Sequence, residues 1–317
     1  MKVGNAMRKN TLKSIVSLAL GASLCLAGAA CGTSDDSGNG TKNADGETTQ
    51  GYDVSNVETV EEIAALVPDD VKKDGKLTVG MDTSYAPAEF LAEDGKTPVG
   101  YDVDLSKALA KVMGLEAENK VASFDMIIPS VGSKYDVGIS SFTITPERMD
   151  AVDFVSFYKA GSTWVTKKGN PDKIDPKDLC GQTVAVQIGT TQEEELTEMN
   201  KQCKADGKQE INVLSSKLQT DVTTNVTTGK ASAFYADTPV AGYAIAQTDG
   251  QLEKLGEDVG VTKQGVVIKK GDKQMDEAVQ KAMQKLMDDG TYEAILEEWS
   301  AKDGAIEVAE INPTDTK

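Results

Sequence analysis

The sequence predicts an α/β protein made of two units, each with a doubly wound and mostly parallel sheet. Three observations support this prediction. The 317 residues are enough for two domains of about 100–200 residues each. Segments typical of strands and helices alternate along the chain, and the alternation starts again after a break between residues 151 and 183. Alternating βα units favour parallel sheets whose ligands bind outside the carboxyl ends of the strands.

The first unit is predicted to extend from residue 58 to residue 151. Residues 102–113 carry apolar side chains at helical spacing, and Asp102 is a suitable N-cap for that helix. Pro146 falls in the first turn of a helix that starts at Thr145. The other predicted elements are a short helix at 58–66, a strand at 76–81, a helix at 124–131 and a strand at 135–139.

The second unit repeats this order. It is predicted to contain a strand at 183–187, a helix at 190–205, a strand at 211–214, a helix at 218–228 and a strand at 233–235. A strand at 264–268 and helices at 273–288 and 291–299 follow. The loops after Met81, Ile139, Gln187 and Tyr235 are where we expect a ligand site, because they leave the carboxyl ends of strands.

The first 57 residues are predicted to be a signal peptide (1–30) and a tether (31–57). Basic residues precede an apolar run at about 14–27, which is too short to span a membrane. Small residues lead into Cys31, and the polar, glycine-rich run after it is typical of a flexible tether. This arrangement resembles a bacterial lipoprotein cleavage site, in which Cys31 is lipidated, although Gly28 stands where that pattern usually has leucine. The alternative is ordinary signal-peptidase cleavage, which releases a soluble protein with a spare thiol.

Two of the four cysteines remain once the signal peptide and the lipidation site are set aside. They are Cys180 and Cys203. An exported protein folds in an oxidising compartment, so we predict a disulfide that contributes roughly 3 kcal/mol by loop closure. The alternative is a pair of buried free thiols.

Composition excludes several classes of function. A net charge of −18 repels phosphate backbones and makes nucleic acid a poor partner, although a local basic patch would be compatible with it. The absence of histidine excludes histidine-based triads, histidine zinc sites and histidine pH switches. The sequence has no GxxxxGK[ST] loop for binding ATP. We predict no cofactor and no metal.

Seven segments occur in the order found in one known family. They are GMDTSYAPAEF (80–90), VGYDVDLSKALAKVMGL (99–115), SFDMIIPSVGSKYDVGISSFTITPER (123–148), DFVSFY (153–158), LCGQTVAVQIGTTQEE (179–194), FYADTP (234–239) and DDGTYEAILEEW (288–299). Together they resemble the polar amino-acid branch of the bacterial extracellular solute-binding proteins, family 3. The resemblance implies a two-lobed clamshell of the periplasmic-binding-protein type with a two-strand hinge. Lobe one would comprise residues 58–162 and 263–317, and lobe two residues 163–262.

The chemistry of a free amino acid requires a cation and an acid in the same site, because each buried charge needs a partner. Arg148 can hold a carboxylate in a bidentate fork, and the resemblance assigns that role to Arg148, Ser141, Thr143 and Thr191. Asp237 would hold the α-ammonium group. Read without the resemblance, Arg148 would pair with Asp150 or Asp153 on the surface, and Asp237 would simply start a helix. The complete set of expected ligand-binding residues is Asp82, Tyr85, Phe124, Ser140, Ser141, Thr143, Arg148, Thr191, Gln192 and Asp237.

The ligand side chain would meet Tyr85 and Phe124, with Asp82 favouring polar or cationic groups. Gln187 and Ala236 stand where some relatives have lysine or histidine. The expected function is capture of a polar amino acid by a monomeric receptor, anchored by lipid on the outer face of the cell membrane. An ABC permease and its ATPase would be the partners. Two alternatives are a ligand sensor and a dehydratase-like enzyme, for which Glu89 and Glu193 would be the candidate acids or bases.

Overall fold

A computed structural model describes residues 41–42, 48–49 and 51–316. The predicted signal peptide and Cys31 lie outside the described residues. The strands are β1 (Thr41–Lys42), β2 (Thr48–Thr49), β3 (Lys76–Met81), β4 (Ser84–Tyr85), β5 (Glu89–Leu91), β6 (Pro98–Val99), β7 (Glu116–Val121), β8 (Val137–Gly138), β9 (Val152–Lys167), β10 (Thr183–Gln187), β11 (Asn212–Ser216), β12 (Ala233–Asp237) and β13 (Leu252–Lys269).

The helices vary widely in length. They are α1 (Glu61–Ala64), α2 (Asp69–Lys72), α3 (Tyr101–Val112), α4 (Pro146–Ala151), α5 (Thr191–Ala205), α6 (Gln219–Thr227), α7 (Thr238–Gln247), α8 (Lys273–Asp288) and α9 (Thr291–Glu298). Within the described ranges, none of the helices combines the length and the apolar character needed to cross a membrane.

One sheet of eight strands organises the protein, in the order β11-β10-β12-β9-β13-β8-β3-β7. Strands β3, β7 and β8 are parallel to one another, as are β10, β11 and β12. Lobe one is the part built on β3, β7 and β8, and lobe two is the part built on β10, β11 and β12. The long strands β9 and β13 pair antiparallel and pass through both lobes, with register shifts between Leu255 and Gly265.

Each lobe has an apolar core against its part of the sheet. In lobe one, the fully buried Leu77, Leu109 and Met283 bring together β3, α3 and α8. In lobe two, Trp164 stacks on Tyr235 with ring centroids 3.9 Å apart. Burying a large apolar side chain contributes about 1.5–3 kcal/mol, so these cores hold the strand ends, and the loops that leave them, in fixed positions.

Two local predictions were wrong. Residues 124–131 form two short 3₁₀ turns, Phe124–Met126 and Ile128–Ser130, instead of one helix. Pro129 accounts for the difference, because proline lacks the N–H group that a helix interior needs. Asp102 is not an N-cap: α3 begins at Tyr101, and Asp102 is a buried residue of its first turn.

The C-terminal residues cross the two long strands. Ser156 of β9 donates its N–H to Glu310 O at 2.9 Å, and Lys263 of β13 donates its N–H to Thr316 O at 2.6 Å. The side chains of Lys263 and Glu310 form an ion pair, and Asn312 donates its side-chain amide to Asp153 at 2.8 Å. We call residues 305–316 the C-terminal strap.

The predicted disulfide between Cys180 and Cys203 is confirmed. Cys180 precedes β10, and Cys203 lies near the end of α5, roughly 18 Å along the helix from Thr191. We expect replacement of both cysteines by serine to lower the free energy of unfolding by about 2–5 kcal/mol. Amino-acid affinity should stay within a factor of two or so, because the bond is remote from the expected site. Thermal unfolding measures the change in stability, and calorimetric titration measures the amino-acid affinity. An unchanged melting temperature, compared with oxidised wild type, would contradict the stabilising role.

Candidate functional site

A cavity lies where the loops from the two lobes meet. Its lining comprises Tyr85, Phe124, Ser141, Thr143, Arg148, Thr190, Thr191, Gln192 and Asp237. Every expected ligand-binding residue except Asp82 and Ser140 is therefore in the lining, and Thr190 is an addition to the predicted set. Thr190 caps α5 by accepting the N–H of Glu193 at 3.2 Å, so the start of that helix faces the cavity.

Arg148 is buried and reaches across the cleft. Its guanidinium donates to Thr143 O in lobe one at 2.9 Å and to Gly189 O in lobe two at 3.0 Å. It also lies over the rings of Phe124 and Phe142, at 5.6 and 5.9 Å from their centroids. Burial lowers the pKa of Arg148, and the charges of Glu194 and Asp237 oppose that shift.

Among the described residues, no carboxylate forms an ion pair with Arg148. Asp153, one of the surface partners considered for it, pairs with Lys270 and Lys273 instead. Arg148 and Arg8 are the only arginines in the sequence. A buried guanidinium that bonds only to neutral carbonyls retains donors for an anion, and a carboxylate fits its forked geometry.

Asp237 supplies the acid from lobe two. It ends β12, and its side chain makes no capping hydrogen bond to α7. Instead, its two oxygens accept from the side-chain amides of Gln192, at 2.7 Å, and Gln264, at 2.8 Å. Burial raises the pKa of Asp237 to about 6, although these amides, Tyr85 and the charge of Arg148 act in the opposite direction. Asp237 can therefore receive a cation, and Gln264 is a supporting residue that the sequence analysis missed.

The described lobes also touch each other directly. The backbone N–H of Asp237 donates to the hydroxyl of Tyr85 at 3.3 Å. The side-chain amide of Gln187 donates to Asp82 at 3.3 Å, and the N–H of Gln219 donates to the hydroxyl of Ser84 at 3.0 Å. Together with the contact of Arg148 to Gly189, these bonds join the two lobes around the cavity in a closed arrangement.

Ser140 and Asp82 stand behind the cavity wall. The Ser140 hydroxyl accepts the N–H of Asp82 at 3.0 Å and donates to Glu89 at 2.6 Å. Asp82 accepts from the N–H and hydroxyl of Ser84, at 2.9 and 2.5 Å, and from the N–H of Phe124 at 3.1 Å. Burial raises the pKa of Asp82. Both residues thus fix the loops that carry Tyr85, Phe124 and Ser141.

Two buried acids, Glu89 and Asp102, support the loop of Ser141. Ser141 has a φ of 50°, a strained value for serine. Asp102 holds it there by accepting its N–H at 2.8 Å and its hydroxyl at 3.1 Å. Burial raises the pKa of Asp102 to about 7, while burial and the nearby charge of Asp102 raise the pKa of Glu89 well above its usual value.

The raised pKa values of Glu89 and Asp102 predict a pH-dependent stability. The folded chain keeps protons that the unfolded chain releases above about pH 4. The contribution of Asp102 is therefore complete below about pH 4 and is lost as the pH rises through about 7, with a slope of up to about 1.4 kcal/mol per pH unit for one proton. Glu89 contributes with the same sign. Denaturant unfolding of wild type and Glu89→Gln between pH 4 and 8 tests this. The variant should lose less stability over that range, and parallel curves would contradict the prediction.

Comparison with known proteins places this geometry in a family. The sequence profile of the bacterial extracellular solute-binding proteins, family 3, matches residues 77–302. The chain is 33% identical over 286 residues to the arginine-binding protein ArgT of Corynebacterium glutamicum, covering 90% of both chains.

Solved structures agree with the sequence comparison. An ancestral arginine-binding protein bound to arginine aligns with a TM-score of 0.65 and 34% identity, covering 71% of this chain and 98% of that one. The ancestral amino acid-binding protein AncCDT-1, a precursor of cyclohexadienyl dehydratase, aligns with a TM-score of 0.66 and 34% identity, covering 74% and 99%. The chain therefore belongs to the bacterial extracellular solute-binding proteins, family 3.

Proposed function

We propose that this protein is the substrate-binding component of an ABC importer, which captures a polar amino acid between its lobes and delivers it to a permease. One observation carries the proposal: the cavity is lined by a buried arginine, which forms no ion pair with a carboxylate among the described residues, and by an aspartate from the other lobe. An α-amino acid carries an anion and a cation at fixed spacing. Arg148 and Ser141 would bind its carboxylate, and Asp237 its ammonium group.

Ligand binding and lobe closure are coupled in this proposal. Arg148 and Asp237 lie on different lobes, so one ligand can pair with both only when the lobes meet. The long strands β9 and β13 would act as the hinge. The proposed boundaries are residues 58–162 and 263–317 for lobe one and 163–262 for lobe two. A permease with a separate ATPase would then recognise the surface that the two lobes form together when they are closed. Only the relative position of the lobes differs between the ligand-bound and the ligand-free protein.

The supporting observations favour binding over catalysis. Neither Glu89 nor Glu193 lines the cavity. Glu89 is fully buried and bonded to Ser140, and Glu193 accepts the N–H of Gly189 at 2.7 Å. A catalytic acid or base has to reach the reacting atoms. We therefore propose a binding protein without enzymatic activity. We further propose that it is a monomer and uses no cofactor or metal.

We also propose that the chain is exported and held on the outer face of the cell membrane by lipid on Cys31. The family is extracellular by its description, and the motif at Cys31 supports the anchor. Acyl chains contribute about 0.8 kcal/mol per buried CH₂ group. Mass spectrometry of the membrane-bound chain should show a modified Cys31 at the N-terminus. An unmodified chain in the medium would overturn the anchor.

Calorimetric titration tests the proposed function. The protein is unfolded and refolded to remove carried-over ligand, then titrated with the twenty standard amino acids, with arginine first because relatives bind it. We expect one-to-one binding of one or a few polar amino acids without turnover. Failure of every amino acid to bind would overturn the proposal, and chemical conversion of a bound one would favour the enzyme.

A further inference from the structure

Gln219 is a buried polar residue that takes no part in the proposed contacts with the α-carboxylate and α-ammonium groups of the ligand. It is the first residue of α6, and only 3% of its surface is exposed. Within residues 51–316, neither its side-chain nitrogen nor its side-chain oxygen has a hydrogen-bond partner. Leaving a buried amide unpaired destabilises a protein by about 1–3 kcal/mol per group. Such a group calls for a hydrogen-bond partner, and a bound ligand can supply one.

Gln219 lies at the end of α6 that contacts lobe one. Gln219, Val222 and Val226 form the buried face of the helix. Helical side chains lean toward the N-terminus of their helix, and the N-terminus of α6 meets lobe one, where the Gln219 N–H donates to Ser84 at 3.0 Å. Ser84 precedes Tyr85, which lines the cavity.

The polar groups around Gln219 are already occupied. Asp82 accepts four hydrogen bonds, from the N–H and hydroxyl of Ser84, the N–H of Phe124 and the amide of Gln187. A carboxylate has about four lone-pair sites, so Asp82 is saturated. The Gln187 nitrogen donates to Asp82 at 3.3 Å and to Lys217 O at 2.9 Å, which uses both of its N–H groups.

We propose that Gln219 determines specificity by hydrogen bonding to the polar end of the ligand's side chain. This inference rests on the proposed function, in which Arg148 and Asp237 hold the α-groups. The cluster of Asp82, Gln187 and Gln219 adjoins the wall made by Tyr85 and Phe124, because Asp82 bonds to the N–H of Phe124. A carboxamide both donates and accepts, so it pairs with a guanidinium, carboxamide or hydroxyl end. An apolar end would leave it unpaired.

The test compares ligands that share their α-groups and differ at the end of the side chain. Wild type, Gln219→Met and the exposed neighbour variant Thr220→Ala are titrated with arginine, glutamine and norleucine. Methionine keeps the length of glutamine and removes its hydrogen-bonding groups. For the polar ligand that wild type binds, we expect Gln219→Met to weaken affinity about tenfold to a hundredfold. Norleucine affinity should stay the same or increase, and Thr220→Ala should match wild type.

Two outcomes would overturn the inference in distinguishable ways. Equal losses for polar and apolar ligands in Gln219→Met would assign Gln219 a role in packing or lobe closure, and would leave the proposed function intact. Failure of wild type to bind any of the twenty amino acids would overturn the proposed function and this inference together. Gln219→Glu provides a second measurement if the methionine variant does not fold. It should shift preference from glutamine toward arginine, and an unchanged ratio would also overturn the inference.

Discussion

Replacing Arg148 with alanine is expected to weaken amino-acid binding by about 2–5 kcal/mol, which corresponds to a loss of about 30-fold to a few thousandfold. The ligand carboxylate would remain buried in the closed cleft without its cation. The loss should appear for every α-amino acid that wild type binds, whatever its side chain, because the α-carboxylate is common to all of them.

A lysine at position 148 tests whether binding needs only the positive charge or also the planar shape of the guanidinium group. Arg148→Lys keeps the positive charge but cannot bond to Thr143 O, Gly189 O and a ligand carboxylate through one planar fork. We expect an affinity between those of wild type and Arg148→Ala. Glu147→Ala is the matched control, because Glu147 is an exposed neighbour on α4. Unchanged affinity in Arg148→Ala, with an unchanged melting temperature, would remove Arg148 from the site.

Asp237→Asn should produce the second large effect. Asparagine preserves the shape of the residue but removes the negative charge, so the ligand ammonium would be buried without an ionic partner. We expect a loss of about 2–5 kcal/mol for α-amino acids. Analogues with hydrogen in place of the α-amino group should bind wild type and variant alike. Equal losses for both kinds of ligand would contradict the assignment.

The pKa of Asp237 offers an independent measurement of the same contact. Because burial raises this pKa to about 6, a proton has to leave Asp237 before it can pair with an ammonium group. Wild-type affinity should therefore fall as the pH drops below about 6, by up to tenfold per pH unit. Asp237→Asn should lack this dependence. Calorimetric titrations at pH 5 and pH 7 distinguish the two cases.

The sequence predicted elements best where the pattern was local. The strand over residues 76–81 matches β3, in which apolar residues alternate, and the strand at 183–187 matches β10, in which they form a short run. The two long strands were not predicted at their full length: β9 was not predicted from its pattern, and only residues 264–268 of β13 were predicted as a strand. Strand β9 continues through Lys159 and Ala160, where its apolar pattern breaks, because these two residues pair with β13.

The support behind the site depends on contacts between distant parts of the chain. Glu89 and Asp102 reach Ser140 and Ser141 across 51 and 39 residues of sequence. Nothing in the spacing of these acids indicates that they share one buried loop. Glu89 and Asp102 could have been noticed because each is an acid within a largely apolar segment, PAEF and VGYDVDL respectively. Gln264 is similar, since it is a polar residue at the start of the apolar run VVI in β13.

The C-terminal strap has a practical consequence for anyone who prepares this protein. Thr316 bonds to the backbone of Lys263 in the strand that joins the lobes, so a purification tag fused after Lys317 would begin one residue from that contact. We expect a bulky or charged tag there to disturb the contact between the strap and β13. Material for affinity measurements should therefore carry no tag directly after Lys317, and any removable tag should be placed ahead of the tether.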